Sequence, residues 1–191
     1  MSDQKEEAIF LAALEVFSAK GFDRATMDEI ALKAEVAKGT LFYRYKSKDE
    51  LFLSLIRRAI DRFFADARNA MAGVDHAADK IAKAIQVQTE LSFQYPEFAK
   101  LLLSDVWGKL NRQQQFRGCL ELYLQFLRTI IEEGILRGEL KPTDSTLLAA
   151  SIFGMTAAAT LHLLVSEKRV ELAETIKELQ QYCLNSILLH H

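Results

Sequence analysis

Two cysteines and two prolines are all that this chain of 191 residues contains. Cys119 and Cys183 are too few for the disulfide framework of a secreted scaffold, so they read as reduced, buried thiols of a cytoplasmic protein. With so little proline and only eight glycines, collagen-like, low-complexity and turn-dense all-β folds are excluded. Sustained period-two alternation is missing, which leaves no strand candidate. No internal repeat is visible, which argues against solenoids and propellers. The opening MSDQKEE lacks the apolar core of a signal peptide. Catalytic signatures are missing too: there is no G-x-S-x-G, G-x-G-x-x-G, phosphate-binding loop or H-E-x-x-H. His76, His162, His190 and His191 do not stand at zinc-ligand spacing with the cysteines, so no enzyme, metal or cofactor site is expected.

Charge is scarce over one long run. No Asp, Glu, Lys or Arg stands in residues 145–166, a length sufficient to span a bilayer. Ser145, Thr146, Ser151, Thr156, Thr160 and His162 interrupt the run, and small residues cluster on it. A helix buried in a core or a subunit interface is expected there rather than a membrane span. Net charge over the whole chain is −2, but its distribution is uneven. From Val36 to Lys48 stand Lys38, Arg44, Lys46 and Lys48 with no acid among them, the pattern of a small electrostatic footprint for nucleic acid.

What is present is helical periodicity almost throughout. Ile9, Ala13, Val16 and Phe17 share a face and predict a helix over 6–20, with Gly21 as its stop. Thr26 followed by Glu29 forms a capping box that opens a short second helix. A tight connection leads to a third, over 38–45. Ser47 and Glu50 form a second box, opening a longer helix with Leu51, Phe52, Leu55, Ile56, Ala59, Ile60 and Phe63 as its apolar stripe. Further helices are expected over 76–94, 97–103, 113–137, 145–166 and 170–189. His190 and His191 resemble the remnant of a purification tag and are set aside. The fold class is therefore all-α, with about nine helices. The division expected is 1–50 for a three-helix unit containing a helix-turn-helix and 51–189 for a larger helical unit.

The order and spacing over 9–51 then point to a family. Ala12-Ala13-Leu14-Glu15-Val16-Phe17, Lys20-Gly21-Phe22, Thr26-Met27-Asp28-Glu29-Ile30-Ala31, Ala34 to Tyr45 and Ser47-Lys48-Asp49-Glu50-Leu51 resemble the DNA-binding domain of the TetR family of bacterial transcriptional regulators. Residues 133–140, with Asp144 and the Ala/Gly-rich stretch that follows, resemble that family's regulatory domain more loosely. The resemblance implies a cytoplasmic, ligand-responsive regulator, in most members a repressor. Its last two long helices would pair with those of a second copy, and its middle helices would enclose a ligand. Two departures stand out: Glu35 where the family usually has glycine, and Phe42 where it often has tyrosine.

On this reading the partner is double-stranded DNA carrying an inverted repeat, met by a homodimer at successive major grooves about 34 Å apart. Thr26, at a helix N-terminus, would hold phosphate by its N–H and hydroxyl. Tyr43 and Lys48 match common phosphate-contact positions in the family. Tyr45 is expected to pack between helices. Lys38 and Arg44 can pair with guanine, Ala37 and Thr40 can touch a thymine methyl, and Gly39 lets the backbones approach. Phe42 completes the same surface as a ring without a hydroxyl. A small hydrophobic or amphipathic effector is expected among Phe64, Phe93, Trp107, Phe116, Phe126 and Phe153, with Gln88, Tyr123 and His162 as polar fixers. The competing reading is a helical protein-interaction module that has lost DNA binding, for which Glu35 and Phe42 would be the signs.

Overall fold

The computed structural model describes residues 3–105, 110–166, 170–185 and 187–188. Nine α-helices follow one another among the described residues: α1 (Asp3–Arg24), α2 (Met27–Lys33), α3 (Lys38–Arg44), α4 (Lys48–Ala70), α5 (Ala77–Gln94), α6 (Pro96–Asp105), α7 (Leu110–Leu136), α8 (Ser145–Val165) and α9 (Leu172–Leu184). The chain divides into two compact units. One holds Met1–Ala59 with Glu97–Arg117, and the other holds Ile60–Pro96 with Gly118–His191.

In the first unit, α1 breaks where the sequence predicts a stop. Gly21 takes φ 73°, a backbone conformation that side-chain-bearing residues avoid, and one further turn carries the chain to Arg24. Ile9, Ala13 and Phe17 bury one face of α1, alongside Ile30 of α2, Leu41 of α3 and Leu51 and Leu55 of α4. Phe17, Phe22 and Phe52 pack ring against ring at centroid distances of 5.1–5.5 Å. Each such side chain contributes on the order of 1.5–3 kcal/mol by leaving water.

The caps decide where the short helices start. Thr26 Oγ1 accepts from the Glu29 N–H at 3.3 Å, and Glu29 Oε2 accepts from the Thr26 N–H at 3.1 Å, so the expected capping box is complete. The second box is half formed. Ser47 Oγ accepts from the Glu50 N–H at 3.1 Å, but the Glu50 carboxylate reaches past Ser47 to the N–H of Lys46 at 2.7 Å.

The second unit centres on Phe63, Ile81, Ile85, Leu127, Ile131, Ala149, Ile152, Leu179 and Ile187, contributed by α4, α5, α7, α8, α9 and the segment after α9. Two close contacts set its geometry. A Cβ built on Gly134 would lie 2.5 Å from the Ala77 Cβ and 2.7 Å from Leu140 Cδ1, so only glycine lets α7 pass there. Glu139 then caps α5 from a distance in sequence, accepting from the Ala77 N–H at 2.6 Å. That bond, aided by neighbouring His76 and Arg137, holds the Glu139 carboxyl below its ordinary range. Asp144 caps α8 by accepting from the N–H groups of Thr146 and Leu147 at 2.9 and 3.0 Å.

The largest boundary difference from the periodicity is at the last helix. The last helix, expected to reach residue 189, ends at Leu184. Leu188 instead forms an antiparallel bridge with Leu140, and the Ile187 carbonyl accepts from the Lys141 N–H at 3.0 Å. Ile187 lies in the core beside this pairing, at 5% exposure.

Candidate functional site

The helix-turn-helix is built by α2 and α3. Ala34 ends α2, and the Val36 N–H returns to the Ala31 carbonyl at 3.0 Å, closing the turn. Glu35 takes φ 53° within it, the left-handed region where the family's glycine would sit without strain. α3 follows from Ala37 as its N-cap, pinned by Leu41, which is fully buried.

The opposite side of α3 is open. Ala37, Lys38, Gly39, Phe42, Tyr43 and Arg44 are exposed and Thr40 is half-buried. Tyr43 is 85% exposed, whereas Tyr45 is 9% exposed and packs inward, as the sequence predicts for it. A Cβ on Gly39 would meet nothing within 4 Å, so the fold leaves the space over that residue free.

The four cations that stand together in sequence are not free in space. Lys38 Nζ pairs with Asp28 Oδ2 of α2 at 2.7 Å, and Arg44 Nη2 with Glu6 Oε1 of α1 at 2.6 Å. Lys46 donates to the Tyr43 carbonyl at 3.1 Å. Lys48 donates to the carbonyls of Asp23 and Ala25 at 3.0 and 2.8 Å, with its ammonium 4.6 Å from the Phe22 ring centre. The acid-free stripe of the sequence is thus met by acids from elsewhere in the chain. The Thr26 N–H, expected to face phosphate, is taken by Glu29.

In the second unit, Phe64, Gln88, Tyr123, Phe126 and Phe153 come together. The Tyr123 hydroxyl donates to Gln88 Oε1 at 2.5 Å, and Gln88 Nε2 reaches the Phe153 carbonyl at 3.5 Å. Phe63 joins the group, with its ring 4.7 Å from Tyr123 and within 5.6–5.9 Å of Phe64 and Phe126. Phe64 stacks edge-on to Phe126, and Tyr123 to Phe153. Burial, with Cys183 adding to it, pushes the Tyr123 phenol far above its ordinary range, so this hydroxyl acts as a neutral donor. Phe93 is half-buried on α5, and His162 lies exposed on α8. Trp107 and the Phe116 side chain lie outside the described residues.

Comparison with known proteins places these features. The sequence profile of the bacterial regulatory proteins of the tetR family matches residues 9–55. Across nearly the whole chain there is 33% identity to a Clostridium perfringens protein described as a candidate fatty acid metabolism regulator, covering 96% of this chain and 100% of that one, with a TM-score of 0.85. The chain belongs to the TetR family. Among other relatives, the HTH-type transcriptional regulator RutR of Escherichia coli strain K12 is 28% identical over 80% of this chain and 72% of its own. The transcriptional regulator FadR of Bacillus subtilis, solved with stearoyl-CoA, shares the fold at a TM-score of 0.88 and 24% identity, covering 97% and 100% of the two chains.

As a TetR-family protein the chain is an all-α, DNA-binding transcription regulator. Several residues that shape its candidate sites escaped sequence reasoning. Asp28 and Glu6 stand 10 and 38 positions from the cations they hold, beyond any local pattern. Phe63 was legible as core of the α4 stripe, but its place among the rings around Tyr123 was not.

Proposed function

We propose that this TetR-family chain is a homodimeric repressor that reads an inverted-repeat operator through α3 and is released by a long-chain acyl thioester. The observation that carries the DNA reading is the α3 surface, where an open row from Ala37 to Arg44 is held rigid from behind by buried Leu41. Lys38 and Arg44 would meet base edges, with Ala37, Gly39, Thr40 and Phe42 beside them. Tyr43, Lys48 and the Thr26 end of α2 would hold phosphates.

Support for the dimer comes from α8. Its best 18-residue window has a mean hydropathy of 1.8, yet only 28% of that window is buried within the chain. Leu147 and Val165 are 66% and 61% exposed, and Ala150, Ser151, Gly154 and Ala158 between them are exposed small residues. Gly154 has nothing within 4 Å of a Cβ position, so a second helix can approach closely. A second copy of α8 and α9 covers this face on our reading, in a cytoplasmic protein. Replacing Gly154 by Arg should then shift the sedimentation velocity species to monomer.

The effector region is the aromatic group around Tyr123 in the 51–189 regulatory part. Its rings give an apolar wall, and the Gln88–Tyr123 pair gives polar atoms for a head group. The acyl assignment draws on the relatives named for fatty acid metabolism and on the stearoyl-CoA bound by FadR. α4 contributes residues to both compact units, so a ligand that moves it can alter the recognition surface. That requires unequal affinity of the ligand for the two arrangements. The test adds stearoyl-CoA to protein bound to a duplex enriched from random sequence. Release by stearoyl-CoA but not by coenzyme A supports the reading, and release by neither overturns the acyl assignment.

One observation favours the interaction-module alternative: the ion pairing of Lys38 and Arg44 lowers the free positive charge on α3. Failure of ligand-free protein to enrich any duplex at low salt would decide for it.

A further inference from the structure

We infer that Asp28 and Glu6 are intramolecular competitors that set DNA affinity by holding Lys38 and Arg44 against the protein's own acids. The inference rests on the proposed use of α3 to read DNA. It concerns the strength of that binding rather than its existence.

Every cation of the basic stripe has a partner in the folded chain, but the partners differ in kind. Lys46 and Lys48 donate to main-chain carbonyls, which are neutral. Among the described residues only Lys38 and Arg44 are met by carboxylates, and these come from two different helices, α2 and α1. Both pairs are open to solvent: the side chains of Lys38 and Asp28 are 63% and 59% exposed, those of Arg44 and Glu6 41% and 40%. An exposed pair is weak and exchanges readily, so a guanine edge or phosphate can displace the acid. The exchange carries a cost. A carboxylate that loses its cation is left facing a polyanion. Each protomer bears that cost at two points, and a two-protomer complex at four.

Glu35 supplies the comparison. It is an exposed acid in the same helix-turn-helix and makes no ion pair among the described residues. Removing its charge changes the general field without freeing a cation.

The experiment uses full-length protein on the duplex that the wild type enriches from random sequence. Dissociation constants are measured over a salt series for Asp28→Asn, Glu6→Gln and Glu35→Gln. Asp28→Asn is measured again with Lys38→Met, and Glu6→Gln with Arg44→Met. Asp28→Asn and Glu6→Gln should each tighten binding by about 2- to 30-fold per two-protomer complex, beyond any gain from Glu35→Gln. The slope of log affinity against log salt should steepen by about 0.9 for each additional phosphate neutralised. The excess gain should vanish once Lys38 or Arg44 is replaced, because the acid then has nothing to hold.

Unchanged or weakened binding by both variants, with wild-type unfolding midpoints, overturns the inference. So does a gain of equal size in the Met backgrounds, which would be a field effect. If Asp28→Asn unfolds through loss of charge in the first turn of α2, Glu6→Gln decides alone. A ligand-free wild type that enriches no duplex overturns the DNA reading itself. That outcome is distinct from a wild type that binds while its variants do not differ.

Discussion

The Lys48 ammonium donates to the main-chain carbonyl of Ala25 at 2.8 Å, tying the first turn of α4 to the end of α1. A second bond to the Asp23 carbonyl and the Phe22 ring beneath it complete the seat. Lys48 therefore has a folding role beside the phosphate role proposed for it. Lys48→Met keeps the stem but leaves two carbonyls without their charged donor. Unfolding by urea should show a loss of about 1–2 kcal/mol, together with weaker DNA binding. An unchanged midpoint would assign the ammonium to DNA alone.

Gly134 is a tightly packed point in the second unit. Alanine normally favours a helix interior over glycine by about 1 kcal/mol. Here the added Cβ would meet the Ala77 Cβ at 2.5 Å and Leu140 at 2.7–2.9 Å, and Ala77 cannot rotate away. Gly134→Ala should destabilise by about 1–3 kcal/mol in thermal or urea unfolding, against the direction of helix propensity. A more stable variant would show that α7 can slide.

Tyr123 links stability to alkaline pH. Its phenol has an ordinary value of 10.0 and is pushed upward by burial, so the folded chain keeps it neutral where the unfolded chain ionises it. The stabilisation is intact below about pH 10 and falls as pH rises above it. Tyr123→Phe should flatten that alkaline loss. At neutral pH it should cost about 1 kcal/mol, since the bond to Gln88 is gone. Unfolding midpoints from pH 7 to 11 check both, and parallel curves for the two proteins would contradict the assignment.

Glu35 occupies left-handed backbone at φ 53° without the freedom of glycine. Glu35→Gly should raise stability by about 0.5–1 kcal/mol, the strain relieved less the extra entropy glycine loses on folding. The same substitution removes an acid near α3, so stability and DNA affinity should rise together. A fall in the unfolding midpoint would show that the strain is taken up elsewhere.

The helix-turn-helix segment was legible because its signals are local. Thr26 and Glu29 lie three residues apart and Gly21 breaks α1 where the pattern stops, so helix order and the turn followed from spacing. The strain at Glu35 was likewise readable as a non-glycine in a glycine position. What stayed hidden depends on distant chain. Asp28 and Glu6 reach Lys38 and Arg44 only once α1, α2 and α3 have packed. Leu188 leaves the helical pattern because Leu140, far back in sequence, offers it a partner. In the proposed effector region, composition named the rings of Phe64, Tyr123, Phe126 and Phe153 but could not separate them from His162, which the fold leaves exposed. A histidine within an apolar run carries no sign of which face of the helix it will occupy.

The most direct test of the account is selection of random duplex DNA by the purified, delipidated protein, followed by affinity against salt on the enriched sequence. An enriched inverted repeat whose half-sites are about one helical turn apart is the expected result. Binding should weaken about 10³- to 10⁵-fold between 50 and 200 mM salt, as roughly 6–10 phosphate contacts require, and should weaken further with Tyr43→Ala and Lys48→Ala. No enrichment at low salt from protein shown by mass spectrometry to be free of ligand would contradict it.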